Sequence, residues 1–220
     1  MVYCMADIHG ESDRFHAMLE QIHFTEEDTL YIIGDVIDRH PNGLELLREI
    51  MCRPNMIMLL GNHEQMLLDT FSTKNRIGAK QLWKQNGGAT TYREMTYCMT
   101  QSERDEIISF LRSLPDHLDI EVNGQRFYLV HGMPAADTFH RIWDRPEPPP
   151  SAPPVPGAIT LVGHTCTYYL NVLVDGYDET RPYEIFYSPG LVAIDCGCGN
   201  KTELRRLACL RLDDMKEFYI

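Results

Sequence analysis

Five times along this chain an apolar run closes on Asp, Asn or His beside a glycine: Asp7-Ile8-His9-Gly10, Gly34-Asp35-Val36-Ile37-Asp38-Arg39, Gly61-Asn62-His63-Glu64, His131-Gly132 and Gly163-His164. Each fragment alone is ordinary turn chemistry, and an isolated Gly-His at a strand end is more often a hydrogen-bonded turn than a ligand. The ordered series is a stronger constraint. In open α/β sheets, ligands sit beyond the carboxyl ends of the strands. Five such ends can therefore converge on one site although they span Asp7 to His164, provided that the strands share an edge.

Apolar periodicity supplies those strands. Val2 to Ala6, Thr29 to Ile33 and Met56 to Leu60 read as strands, and Ser12 to Ile22 and Gly43 to Met51 as the helices between them, an alternation that implies βαβ units. From Glu64 to about Leu114 the pattern is mostly helical and predicts a helical cap on the sheet. Ser102-Glu103-Arg104-Asp105 reads as a helix start before Ile107, Ile108 and Leu111, and Pro115 as the stop. Leu118 to Val122 and Arg126 to Val130 flank Asn123-Gly124, a hairpin signal. Ile159 to Val162, Glu184 to Tyr187, Leu191 to Ile194 and Leu204 to Leu212 are further strands. The expected fold is α/β, an α+β sandwich of two packed mixed sheets flanked by helices, in a single domain over 1–220. That length is enough to bury one large core.

Pro146 to Gly157, written PEPPPSAPPVPG, predicts an extended, semi-rigid surface loop, because proline offers no backbone donor to a sheet or helix interior. A ligand for a proline-recognition domain is the alternative. The loop follows Arg145 directly, which suggests a wall or lid at the mouth of the site.

A net charge of −12 argues against a general nucleic-acid binder, which would gather Lys and Arg against phosphates. No secretory leader and no apolar run of spanning length is evident, so a cytoplasmic protein without membrane contact is expected. Seven scattered cysteines fit free thiols in a reducing compartment. Cys196 and Cys198 lack the usual CxxC spacing and read as small buried or turn residues rather than half of a soft-metal site.

The donors in the five fragments are carboxylate oxygen and imidazole nitrogen without thiolate, a set suited to hard or borderline divalent ions. Two such ions roughly 3.5–4 Å apart can hold the attacking and leaving oxygens of a phosphoryl transfer, given an acidic residue that bridges them.

With GDVIDR, GNHEQM and IWDR beside these single-residue donors, the sequence resembles the PPP family of metallophosphatases, in its bacteriophage lambda phosphatase branch, from Asp7 to about Asn200. The resemblance implies the four-layer metallophosphoesterase architecture. It implies that Asp7, His9 and Asp35 hold one metal, that Asp35, Asn62, His131 and His164 hold the other, and that Asp35 bridges. It makes His63 the proton donor to the leaving group, with Asp38 as its partner, and Arg39 and Arg145 the clamp on phosphate oxygens; these roles suit an imidazolium beside a carboxylate and the guanidinium fork. Arg141 is the alternative to Arg145, which is favoured by the context Ile142-Trp143-Asp144-Arg145. The implied cofactors are two divalent metal ions, manganese first, with iron or zinc fitting the same ligands.

The implied activity is a metal-dependent phosphoprotein phosphatase acting on Ser/Thr esters, with phosphotyrosine also within reach. Its partners are phosphoprotein or phosphopeptide substrates, with small aryl phosphates as probes. Hydrolysis of a dinucleoside polyphosphate, the work of a related PPP branch, is the alternative, and a non-catalytic binding module of the same fold is a third. The sequence departs from the family at His40, where glycine is usual, and at Cys166, where proline is usual. Neither is an implied ligand, and both bear on the rim and hence on substrate preference.

Overall fold

The computed structural model describes residues 1–72, 78–146, 148–173 and 178–220. The first half contains β1 (Val2–Met5), α1 (Ser12–Gln21), β2 (Thr29–Ile32), α2 (Gly43–Met51), β3 (Met56–Met58), α3 (Asn62–Thr70), α4 (Ala79–Trp83), α5 (Ala89–Tyr97) and α6 (Gln101–Ser113). A widened helical turn, Lys84–Gly88, joins α4 to α5. The second half contains β4 (His117–Val122), β5 (Gln125–Val130), α7 (Thr138–Trp143), β6 (Ile159–Val162), α8 (Thr167–Asn171), β7 (Phe186–Ser188), β8 (Leu191–Ala193), β9 (Ala208–Arg211) and β10 (Lys216–Tyr219).

The strands form two five-stranded mixed sheets, ordered β10-β9-β1-β2-β3 and β4-β5-β6-β8-β7. β1, β2 and β3 are parallel in the first, and β5, β6 and β8 in the second. Strand alternation sorts side chains between layers. Cys4 and Ala6 point between the sheets onto Phe127, Leu129 and Leu161, whereas Tyr3 and Met5 join a second core with Phe15 and Met18 of α1 and Leu44 and Leu47 of α2. On the outer face of the second sheet, Val130, Val162 and Ala193 pack with Leu170 of α8. The result is an α/β fold of two mixed sheets flanked by helices, with the inter-sheet core beneath the ends of the central strands.

Several boundaries differ from the sequence expectation. β3 stops at Met58 rather than Leu60, and α3 begins at Asn62, so Asn62 and His63 lie in a first helical turn. α6 is capped by Thr100 and not started at Ser102: Glu103 N–H donates to the Thr100 hydroxyl and the Glu103 carboxylate accepts the Thr100 N–H. The run Leu204 to Leu212 becomes the short β9, and β10 was not foreseen, its Lys216-Glu217-Phe218-Tyr219 being too polar to read as a strand without its partner. Helices α3 to α6 lie over the outer face of the first sheet where the cap was expected, and 73–77 of that stretch lie outside the described residues.

The proline-rich segment is not confined to the mouth of the site. Position 147 lies outside the described residues, and 148–157 carry no helix or strand. Pro153 packs against Gly190, which precedes β8, and the Pro156 carbonyl accepts a hydrogen bond from Arg126 near the start of β5. Both contacts lie at the amino ends of parallel strands, opposite the carboxyl ends where His131 and His164 follow β5 and β6. The reason is topological: β5 and β6 are parallel, so the chain between them must return along the whole strand length. No helix of the described residues is long and apolar enough to cross a membrane.

Candidate active site

The carboxyl ends of β1, β2, β3, β5 and β6 bring the five fragments to one edge, where the backbone leaves ordinary conformations. Among the described residues ten non-glycine positions have positive φ, and six of them are Asp7, His9, Asp35, Asp38, Arg39 and His164. Such conformations cost about 1–3 kcal/mol each and concentrate at functional sites. Backbone pairing continues past the strands to hold them: His9 N–H donates to the Asp35 carbonyl at 3.0 Å and Gly10 N–H to that of Val36 at 2.8 Å.

Two groups of donors share Asp35. His9, Asp35 and His63 bring ligand atoms within 4.8 Å of one another, and so do Asp35, His131 and His164. Asn62 completes the second, its Oδ1 lying 2.9 Å from His131 Nε2 and 3.0 Å from His164 Nδ1. The outward ring nitrogens show how the imidazoles are set. His9 Nδ1 lies 2.9 Å from the Ile37 carbonyl, His131 Nδ1 2.8 Å from the Ile33 carbonyl, and His164 Nε2 3.2 Å from the Trp143 carbonyl. A carbonyl can only accept, so each outward nitrogen carries a proton, and in the neutral ring the inward one offers the lone pair, the usual arrangement around ligating histidines. His9 Nε2 is buried without a hydrogen-bond partner among the described residues. The residues present therefore fit two divalent ions.

Asp7 is placed differently from its implied partners. It is buried, and both of its oxygens accept the N–H of His164, at 3.2 and 3.0 Å. His63, rather than Asp7, stands with His9 and Asp35. His63 Nδ1 donates to Asp38 Oδ2 at 2.7 Å, which leaves Nε2 facing the site, 3.8 Å from Asp35 Oδ2 and 3.5 Å from Arg39 Nη2. Arg39 is exposed beside it. Of the two candidate arginines, Arg141 is tied to Asp116 at 3.1 Å, whereas Arg145 is exposed and its charge reaches His164.

Burial acts on Asp7, Asp35, His131 and His164 alike. It raises the Asp7 carboxyl well above its ordinary range, with Asp195 adding to the effect. It opposes ionisation of Asp35 too, yet the imidazoles of His131, His63 and His9 outweigh it and hold that carboxyl well below. Burial lowers His164 to about 3, helped by His131. At His131 burial is overcome by Asp35, and the imidazole is raised to about 10. A ligating imidazole must be neutral. Loading the metal-free protein with Mn²⁺ is therefore expected to expel the His131 proton, so that apparent affinity rises with pH through the neutral range. Calorimetric titration at neutral pH in buffers of different ionisation heat should report release of about one proton. Enthalpies independent of buffer would remove His131 from the ligand set.

Three residues without an assigned role in the sequence reading prove to be built into the site. The buried Glu64 carboxylate accepts four backbone N–H groups, those of Asp35 (2.9 Å), Gly61 (3.2 Å), Val36 (3.0 Å) and Ile37 (3.3 Å), and so ties the β2 loop to the start of α3. Asp195, buried after β8, accepts the Gly197 N–H at 2.9 Å and acts on Asp7. It ends the run Leu191 to Ile194 as the other donors end theirs, so part of the same signal was present. Trp83 donates to Asp38 Oδ2 at 2.6 Å; its only trace in the sequence is the glycine pair Gly87-Gly88 inside a helical pattern. Cys196 and Cys198 are buried free thiols.

Beside the donors, a groove of about 510 Å³ runs between α3, α4 and α7, lined by Met66, Leu82, Phe139, Ile142 and Trp143 with Gln65 at its polar side. The Phe139 ring stacks on Trp143 with centroids 6.3 Å apart, and Trp143 meets His164 edge to face at 5.9 Å. The groove thus opens next to the second donor group.

The calcineurin-like phosphoesterase family model matches residues 1–194. The chain is 33% identical over 115 residues to a bis(5'-nucleosyl)-tetraphosphatase (symmetrical) of Cronobacter sakazakii, covering 51% of this chain and 36% of that protein. It is 31% identical over 134 residues to serine/threonine-protein phosphatase 2 of Escherichia coli, covering 59% and 57%. It thus spans between about a third and three-fifths of these relatives' lengths. Among solved structures, a Saccharomyces cerevisiae protein serine/threonine phosphatase superposes with TM-score 0.63 at 13% identity, over 100% of this chain and 78% of that one. A metallophosphoesterase from Sphaerobacter thermophilus gives 0.59 at 16%, over 99% and 86%. At these identities the structural likeness concerns the fold.

Proposed function

Since the chain belongs to the calcineurin-like phosphoesterase family, a family of metal-dependent hydrolases, we propose that it hydrolyses a dinucleoside polyphosphate, with dephosphorylation of phosphoproteins as the second reading. This reverses the order expected from the motifs alone. The observation that carries the chemistry is the pair of donor groups sharing Asp35, with His9, His131 and His164 each fixed by a backbone carbonyl. Identity to a symmetrical bis(5'-nucleosyl)-tetraphosphatase supports the substrate class. The apolar groove beside Trp143 supports it too, offering a stacking surface for a base beyond the phosphates. The second reading rests on the identity to the Escherichia coli phosphatase.

In this reading Asp7, His9 and Asp35 hold one divalent ion and Asp35, Asn62, His131 and His164 the other, manganese being the first choice. When bound, the ions supply Lewis acidity and lower the pKa of water. Arg39 and Arg145 hold the phosphate oxygens in the bidentate manner of guanidinium. His63 Nε2 faces the same space and gives its proton to the departing oxygen, while Asp38 holds the other ring nitrogen. Burial disfavours the charged imidazole of His63, but Asp35 and Asp38 prevail and raise its pKa.

The test compares initial rates of the Mn²⁺-loaded chain on diadenosine tetraphosphate and on a phosphoserine peptide, with nucleotide products resolved by chromatography. Two ADP per substrate, and a kcat/KM at least about tenfold above that for the peptide, are expected, a ratio worth about 1.4 kcal/mol of transition-state preference. Preference for the peptide would install the second reading. Metal-dependent turnover of neither, nor of an aryl phosphate, would leave a binding module.

A further inference from the structure

The segment Trp83-Lys84-Gln85-Asn86-Gly87-Gly88 has no place in the chemistry described so far, yet two of its groups hold the turn that carries Asp38 and Arg39. Trp83 is fully buried, and its indole N–H donates to Asp38 Oδ2 at 2.6 Å, the oxygen that also accepts His63 Nδ1 at 2.7 Å. The other oxygen of Asp38 is buried and without a hydrogen-bond partner among the described residues. The carboxylate is thus oriented by two donors on one oxygen, and one of them is Trp83. Phe71 and Tyr92 meet the indole edge to face at 6.2 and 6.1 Å and keep it from turning.

The glycines serve the same contact. The Gly87 carbonyl accepts the Arg39 N–H at 3.2 Å, from a backbone with φ of 103°, and a Cβ there would lie 2.9 Å from Arg39 Cγ. A Cβ on Gly88 would lie 2.3 Å from Cδ1 and Nε1 of Trp83. Asp38 and Arg39 are consecutive non-glycine residues at φ of 74° and 64°, a conformation that needs support from outside the turn.

We propose that Trp83 is a positioning residue, whose N–H locks the Asp38 carboxylate so that His63 Nε2 faces the leaving oxygen, and that Gly87 fixes the neighbouring Arg39 from the same segment. The proposal rests on the reading of His63 as proton donor, and it predicts a deficit that depends on the leaving group. Trp83→Phe keeps the ring and removes the N–H. Its kcat should fall about thirtyfold on phenyl phosphate, whose leaving oxygen needs a proton, and only about threefold on p-nitrophenyl phosphate, which needs little help. Manganese content per chain should match the parent. In the double variant with His63→Asn, the phenyl phosphate rate should be no lower than in His63→Asn alone, because the two residues act as a unit.

Equal losses on both substrates, additive losses in the double variant, or lost manganese would overturn the proposal. Failure of His63→Asn alone to discriminate between the substrates would instead bring down the proton-donor reading beneath it. Should Trp83→Phe fold poorly, Gly87→Ala provides the second arm. It should raise KM about tenfold on both phosphates by displacing Arg39, with manganese content kept, and an unchanged KM would overturn the role of the segment.

Discussion

Asp35→Asn is expected to abolish turnover and to lower metal content more than any other single ligand change. Asp35 alone belongs to both donor groups, with Oδ1 3.4 Å from His131 Nε2 and Oδ2 3.7 Å from His9 Nε2. An amide of the same shape removes the one charge available to both ions. It also substitutes a donor or a weaker acceptor for the oxygen that receives the His63 N–H at 3.0 Å. Loss of an outer-shell partner typically costs about 10–100-fold in metal affinity, and loss of a shared inner carboxylate should exceed that. The counter-charge that keeps His131 protonated in the metal-free protein disappears as well, so the protons released on loading should fall. Metal analysis beside rates on the purified variant checks this, with circular dichroism as the control for folding. Near-normal turnover with both metals retained would sink the bridging assignment.

His63→Asn should produce the second largest effect, a loss of about 10²–10⁴-fold in kcat on an alkyl phosphate. The loss should shrink for an aryl phosphate with an acidic phenol, because that oxygen departs without a proton. The structure makes metal content the decisive companion measurement, since His63 Nε2 lies among the donors of the first group while Asp7 turns to the His164 backbone. With His63 as the acid, the variant keeps both metals and loses rate selectively. A variant that loses one metal and slows equally on both substrates would make His63 a ligand.

The donors were legible in the sequence because each is announced locally. An apolar run that stops at Asp, Asn or His beside glycine reports a strand end and a tight turn at once. At Gly61 the turn has a physical cause, since a Cβ there would come within 2.2 Å of Asp35 Oδ1. Asp195 likewise ends an apolar run, but its glycine, Gly197, stands two residues on, beyond Cys196. Glu64 could be seen as part of GNHEQM, but three of its four backbone acceptances, from Asp35, Val36 and Ile37, depend on a loop about thirty residues away in sequence, which only the β2–β3 pairing brings near.

What the sequence determined by itself is the inventory: most of the strand and helix pattern, the candidate donors, and the family to which the chain belongs. What tertiary structure decided is geometry. Sheet order sets which strand ends meet, so the sequence could not show that Asp7 would face the His164 backbone or that Trp83 would reach Asp38 across 45 positions. The return path of the proline-rich segment belongs here too, since a parallel pairing carries it to the far end of the sheet. The physical reason is common to all three: hydrogen bonds and packing between segments distant in the chain depend on strand pairing, and periodicity within one segment carries no information about its neighbour.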